Sequence, residues 1–355
     1  EASGVKYVPE KLIKKWKKKD PILQLEKKLI KDSIVTKDYI NNIELDFSQK
    51  ILPVIEKALK SPLPSSSEKD ELKDVYKQNS FKFISSKNNN LKNKRFVDAI
   101  SDCLYEKMKS DSKVLIMGQD IAGYGGVFKV TEGFVEEFGD DRIRNTPIIE
   151  SGVIGTAMGL AIEGFKPIVE MQFADFVSVG FSQIVNNLAK TFYRWNQSIN
   201  VTLRLPTGAG IGAGPFHSQS NESWFYHVPG LKLVYPSNPI DAKGLLLSSI
   251  DDENPVLFFE HKALYRSVKA EVEDGNYHIP IGKAKKVIEG SSLSVITYGM
   301  GVVWMQEFLK NNSEYDGLIE VIDLRSLLPW DKDMVFSSIK KTNKVIILNE
   351  DNITG

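Results

Sequence analysis

Residues 145–171 read NTPIIESGVIGTAMGLAIEGFKPIVEM, and this stretch decides the fold. An extended segment near Asn145–Ile149 gives way to a predicted helix over 153–163. A short apolar strand, Pro167–Met171, follows. The same alternation recurs on both sides. Upstream lie helix 96–109, strand Val114–Met117, a glycine-rich loop and a short helix near 131–138. Downstream lie helix 176–193, strand Asn200–Leu205, a long glycine loop, strand Leu231–Tyr235, helix 240–250 and strand Pro255–Glu260. Short, nearly continuous apolar strands alternating with helices predict an α/β fold, its parallel sheets covered by helices on both faces. A connection over 265–290 carries one or two short strands. The alternation then resumes with Leu293–Thr297, helix 302–310, Leu318–Leu324, helix 331–339 and Val345–Leu348. The domain expected over 95–275 is thus followed by one over 276–355. The second is thin for a core of its own and reads as truncated.

The N-terminal third differs in kind. Residues 1–94 hold 21 lysines, no arginine and 13 acids, a net +8, so the neutral chain carries −8 over 95–355. Residues 1–60 read as helices. Asp20 before Pro21 and Thr36 before Lys37 are placed to cap them, and Pro53 predicts a kink or an early end. Residues 61–94 are rich in Ser, Asn, Lys and Pro. They read as a linker that would span roughly 30 Å as a flexible coil.

Several function classes drop out. Balanced charge and an arginine-free lysine run at Lys14–Lys19 argue against a nucleic-acid partner. A single cysteine, Cys103, excludes a disulfide framework and reads as core filler. No apolar run is long enough to span a membrane. No signal peptide opens the chain, which does not begin with Met, as expected of a processed chain or a piece of a longer one. The expectation is a soluble, cytoplasmic protein.

Candidate chemistry is sparse. Gly208-Ala-Gly-Ile-Gly-Ala213 follows a strand and fits the dinucleotide fingerprint, but Pro206 and Pro215 flank it and no helix opens at its third position. It reads better as a loop whose backbone can approach a ligand. Four histidines in no metal-binding pattern argue against zinc. Glu150 precedes a helix of small residues, SGVIGTAMG, against which a backbone or a cofactor could pack closely. Taken alone, it reads more simply as a carboxylate favoured by a helix N-terminus. Phe176 stands where a parallel sheet binds ligands, or in the core. His217, in a polar loop, can carry a proton near neutral pH or be a surface histidine.

Taken in order, these residues resemble one family. Gly118-Gln-Asp120, Gly125-Gly-Val-Phe128, Arg144-Asn-Thr-Pro-Ile-Ile-Glu150, Glu170-Met-Gln-Phe-Ala-Asp-Phe176 and His217-Ser-Gln-Ser-Asn-Glu222 are similar to the beta half of thiamine-diphosphate-dependent 2-oxo acid dehydrogenases. So are Pro229-Gly-Leu-Lys232, Leu264-Tyr-Arg266 and Asp323-Leu-Arg325 with Pro329-Trp-Asp331. The resemblance covers about 95–355. Trp16-Lys-Lys-Lys-Asp-Pro-Ile22 resembles the tail of the alpha half, so a fused chain is expected, with the alpha core upstream of Glu1.

The resemblance implies a transketolase-like fold and roles for the residues. Glu150 would hydrogen-bond the cofactor's aminopyrimidine ring, Phe176 would pack on it, and Gln172 would face the same cofactor. His217 would serve acyl transfer to a lipoyl group. Mg²⁺ would be held mainly by the alpha half, since no G-D-G motif occurs here. A potassium ion is expected at Thr202, Asp252 and Asn254. Expected partners are the alpha half, a second copy giving a dimer of alpha-beta units, and a dihydrolipoyl acyltransferase core. The expected substrate is a branched-chain 2-oxo acid of the 3-methyl-2-oxobutanoate type, with pyruvate or acetoin relatives, or a non-catalytic assembly module, as alternatives.

Overall fold

The computed structural model describes residues 7–353, in two compact units divided at Ser66. The first unit holds three helices: α1 (Glu10–Lys17), α2 (Pro21–Lys31) and α3 (Lys37–Lys60). Asp20 caps α2 by accepting from the Ile22 and Leu23 amides at 2.8 and 3.2 Å. Thr36 caps α3 through the Tyr39 amide at 3.1 Å. Pro53 lies inside α3, which continues to Lys60 rather than ending early.

The second unit begins with α4 (Glu68–Lys73) and β1 (Leu91–Arg95). Then come α5 (Phe96–Ser110), β2 (Val114–Gly118), α6 (Phe134–Phe138), β3 (Ile143–Asn145), α7 (Glu150–Ile162) and β4 (Lys166–Glu170). Next are α8 (Ala189–Trp195), β5 (Thr202–Thr207), α9 (Ser223–Tyr226), β6 (Lys232–Val234), α10 (Pro239–Asp251), β7 (Val256–His261), α11 (Leu264–Ser267) and β8 (Lys269–Glu273). The chain finishes with β9 (Lys285–Ile288), β10 (Gly290–Thr297), α12 (Met300–Asn311), β11 (Gly317–Asp323), β12 (Ser326–Leu328), α13 (Lys332–Thr342) and β13 (Val345–Leu348).

The larger sheet runs β12-β6-β7-β5-β4-β2-β3, parallel except for β12. Strands β2, β5 and β7 are buried throughout, which explains their unbroken apolar runs. Two cores cover its faces. One gathers Val153, Ile154, Ala157 and Ile184 of the segments after β3 and β4. The other gathers Phe96, Ile100, Leu104, Leu246 and Ile250 of α5 and α10. The second sheet, β13-β10-β11-β9, has a small core on each face.

Strand order reverses beside β2. The chain steps from β2 out to β3, then returns across β2 to lay β4 on its other side. A crevice therefore opens at the C-terminal ends of β2 and β4, where open α/β sheets bind ligands.

Three segments depart from expectation. Helix 176–193 is wound in pieces: a 3₁₀ turn over Ala174–Gly180, a π-helical stretch over Gln183–Leu188, then α8. A Cβ at Gly180 would overlap the end of the Ile154 side chain, so this segment lies close against α7. Residues 76–94, read as part of a flexible linker over 61–94, are bound to the second unit instead. The Tyr76 hydroxyl donates to Leu231 O, the Lys77 amide to Asn254 Oδ1, the Ser80 amide to Glu253 and the Ile84 amide to His278 Nδ1. Strand β1 then pairs antiparallel with β8. Their polar composition suits a strap whose backbone is held by acids and amides distant in sequence. Strand β12 joins the larger sheet from within the expected second domain, pairing with β6. Among the described residues no helix is long and apolar enough to cross a membrane.

Candidate active site

Glu150 is the first residue of α7 rather than a residue preceding it, and only 8% of it is exposed. Its Oε1 accepts from Gln119 Nε2 at 3.2 Å. Among the described residues no other group bonds its carboxylate, which leaves the second oxygen open to a ligand N–H. The next residue, Asp120, accepts from Gln172 Nε2 at 2.9 Å through Oδ2. Two consecutive residues at the end of β2 thus tie Glu150 to Gln172 across the crevice.

Phe176 and His217 complete the group. His217 lies edge-on to Phe173 and Phe176, with ring centroids 4.6 and 5.6 Å apart, and Phe173 and Phe176 are 5.8 Å apart. Gln172, Phe176 and His217 are all half-buried. Four residues singled out in the sequence (Glu150, Gln172, Phe176 and His217) therefore sit along one edge of the sheet.

The glycine loop presents His217, and it is tied at both ends. The Gly208 amide donates to Gln219 O at 3.1 Å, closing the loop at its base. The Gln219 amide donates to Asp175 Oδ1 at 3.0 Å. At the other end, Glu350 Oε1 accepts the Ala209 amide at 2.7 Å, and Glu350 Oε2 lies 2.6 Å from His261 Nε2. Gly208 has φ +80°, and any Cβ there would overlap the His261 ring, so only glycine suits this corner. Helix-free glycine geometry here disposes of the dinucleotide reading.

Beneath the site, Arg204 of β5 is fully buried. Its Nε and Nη2 donate to the two oxygens of Glu260 on β7, at 2.7 and 2.8 Å, and its Nη1 reaches Glu170 of β4. The Tyr265 hydroxyl donates to Glu260 Oε2 at 2.6 Å. Burial pushes the Glu170 carboxyl up, while Arg204 pulls it down. Glu170 in turn fills the space a side chain at Gly126 would need.

Glu222, just past the loop, is buried with Oε2 unpartnered, and burial pushes its carboxyl up to about 7; the Tyr298 hydroxyl donates to Oε1 at 3.0 Å.

The thiamine diphosphate implied by the sequence suits what is present at the pyrimidine end. A buried carboxylate with one open oxygen, a half-buried aromatic face and a carboxamide converge there. Among the described residues no cluster of His, Cys, Asp and Glu is arranged to hold a metal. The expectation of potassium at Thr202, Asp252 and Asn254 does not fit. The Asp252 carboxylate takes the Lys232 ammonium at 2.6 Å and Asn79 at 2.8 Å. Asn254 spends its amide on Lys77 and Asp252, and the Thr202 hydroxyl on Ser249 O. A lysine cation already neutralises the acid.

The contributions of Gln119 and Glu350 escaped the sequence reading. Gln119 stood in a quoted motif without a role, and Glu350 is 141 residues from the amide it binds.

Comparison with known proteins gives the family. The family described as "Transketolase, pyrimidine binding domain" matches residues 92–268, and "Transketolase, C-terminal domain" matches 282–355. The 2-oxoisovalerate dehydrogenase subunit beta of Bacillus subtilis (strain 168) is 44% identical over 263 residues, covering 73% of this chain and 80% of that one. The mitochondrial 2-oxoisovalerate dehydrogenase subunit beta of Dictyostelium discoideum is 45% identical, covering 72% and 70%. The pyruvate dehydrogenase E1 component subunit beta of Staphylococcus aureus (strain Mu50 / ATCC 700699) is 46% identical, covering 72% and 79%. A solved structure titled "Split gene transketolase, inactive beta4 tetramer" shares the fold, with a TM-score of 0.60 at 22% identity over 74% of this chain and 81% of that one. With its crevice at the β2/β4 reversal and its glycine loop over the same sheet edge, this chain belongs to the family of 2-oxo acid dehydrogenase beta subunits, built from transketolase-like domains.

Proposed function

We propose that this chain serves the oxidative decarboxylation of a branched-chain 2-oxo acid, 3-methyl-2-oxobutanoate or its like, with acyl transfer to lipoyl groups. The observation that carries this is the line of Glu150, Gln119, Asp120 and Gln172 across the sheet reversal, with His217 facing Phe176 beside it. Bound thiamine diphosphate would supply the electron sink for decarboxylation. Glu150 would accept a hydrogen bond from the aminopyrimidine ring and set its tautomer, with Gln119 orienting the carboxylate. Phe176 would cover the ring, and Gln172 would bond at the same face. His217 would hold or release a proton at the acyl group; a positioned acid or base of this kind contributes roughly 10²–10⁴-fold.

The same reading gives the chain three partners: an alpha half that supplies the Mg²⁺ and diphosphate site, a second alpha-beta unit, and a dihydrolipoyl acyltransferase core. The resemblance of Trp16–Ile22 to an alpha tail supports fusion of the two halves in one polypeptide. Cys103, buried and free, suits a reducing compartment such as the cytoplasm.

Relatives named for 2-oxoisovalerate and for pyruvate are equally similar, so pyruvate is the second reading. Steady-state comparison of 3-methyl-2-oxobutanoate with pyruvate on the full-length protein decides between them; a higher kcat/KM for pyruvate overturns the branched-chain assignment. Glu150→Gln should nearly abolish decarboxylation, and turnover like the wild type would reject the catalytic assignment in favour of an assembly module.

A further inference from the structure

A second cavity lies near the candidate site, against Phe128 and the glycine loop. It has a volume of about 240 Å³ and is lined by Val97, Phe128, Ile211, Tyr265, Lys262 and Arg266, with Gly210 and Ala263 at the loop side. Its walls are carbon, apart from two cations. Among the described residues neither cation has a carboxylate within ion-pair distance.

Lys262 is 3% exposed, and its ammonium reaches only the Pro206 carbonyl, at 3.5 Å, and the face of Phe173, 5.7 Å from the ring centroid. Burial pulls its pKa down to about 8, against the more distant charges of Asp175 and Glu350. Arg266 is exposed on α11 at the mouth. A buried ammonium with one weak hydrogen bond is costly unless something anionic joins it. The cavity is too small for a nucleotide and too apolar for a bare hydrated anion.

We propose that this cavity binds a small amphiphilic monocarboxylate, its carboxylate between Lys262 and Arg266 and its aliphatic body against Val97, Phe128 and Tyr265. The cavity's lining shares no residue with Glu150, Gln119, Asp120 or Gln172, and Ile211 of the glycine loop forms one wall; Phe173, which Lys262 approaches, packs in turn on Phe176 and His217. An occupant would brace the loop that carries His217. The inference goes beyond the decarboxylase reading and does not depend on it.

Isothermal titration of the full-length protein with 4-methylpentanoate, which has no keto group to react, tests it. Neutral 4-methylpentanamide and inorganic phosphate serve as comparison probes. Binding of the carboxylate, with weaker binding of both other probes, is the expected result. Lys262→Met and Arg266→Gln should each weaken it roughly tenfold, and Ile211→Trp, on an exposed loop, should block it by filling the cavity. Because Lys262 is buried, Arg266→Gln and Ile211→Trp keep the test decisive if Lys262→Met fails to fold. Glu150→Gln should leave this binding unchanged, so this proposal and the decarboxylase reading fail separately. No binding, equal binding of the amide or phosphate, indifference to Arg266→Gln and Ile211→Trp, or loss of binding in Glu150→Gln would each overturn it.

Discussion

His261 Nε2 lies 2.6 Å from Glu350 Oε2, and this contact joins the end of β7 to the segment after β13. The other oxygen of Glu350 takes the Ala209 amide, so one carboxylate from the C-terminal sheet fixes the loop that bears His217. Burial opposes ionisation of Glu350, but the bonds from His261 and Ala209 hold its carboxyl below the usual value.

Glu350→Ala should therefore loosen the loop without touching the cofactor crevice. Acyl transfer to lipoyl groups is expected to fall about 10²-fold, the scale of a small misplacement of a reacting group. Decarboxylation measured with an artificial electron acceptor should change far less. Equal losses in both assays would show that Glu350 does not act through the loop.

Arg204→Met should destabilise the protein by about 3–5 kcal/mol, because Glu170 and Glu260 would be left buried without their cation. Urea denaturation followed by circular dichroism measures this. Little change in midpoint would mean that the two acids become protonated without strain.

Asp323 and Glu222 make stability fall as pH rises. Burial raises each carboxyl to about 7, with Asp241 adding repulsion at Asp323; both exceed an unfolded value near 4. Across that window the folded state binds more protons than the unfolded one, so stability declines between about pH 4 and pH 7 and levels off above. Asp323→Asn and Glu222→Gln should flatten that decline in chemical denaturation at several pH values. An unchanged slope in both variants would exclude this origin.

Limited proteolysis should cut within 61–66, where every residue is exposed, and spare 76–95. Asn254→Leu should expose the Lys77 backbone groups that Asn254 satisfies, costing about 1–3 kcal/mol and raising hydrogen exchange around Lys77–Ser80. Mass spectrometry reads both; cuts throughout 76–95 in the wild type would contradict the strap.

Local periodicity carried most of the architecture. The strands around Ile116, Ile168, Leu203 and Leu257 are short apolar runs bounded by turn residues, and caps such as Asp20 and Thr36 act on amides two or three positions away. Glu150, Phe176 and His217 are marked by their places at a loop or helix start after a strand, each with an ordinary structural alternative, while Gln172 and the roles of all four come from the family resemblance. What stayed hidden depends on distance along the chain. Nothing near Asn79 signals Asp252, and nothing near Glu350 signals Ala209. The winding of 174–195, which packs on α7 where Gly180 meets Ile154, has no counterpart in the local sequence pattern.

The antiparallel strand β12 has a consequence for biosynthesis. The larger sheet is complete only when Ser326–Leu328 reaches β6, with the Tyr235 amide donating to Arg325 O at 2.8 Å and the Ser237 hydroxyl to Asp323 Oδ2 at 2.5 Å. A ribosome must therefore deliver β9, β10 and β11 before the first sheet can close its edge. Until then β6 faces the nascent chain's surroundings with an unpaired side, and a break placed near residue 275 would strand it there permanently.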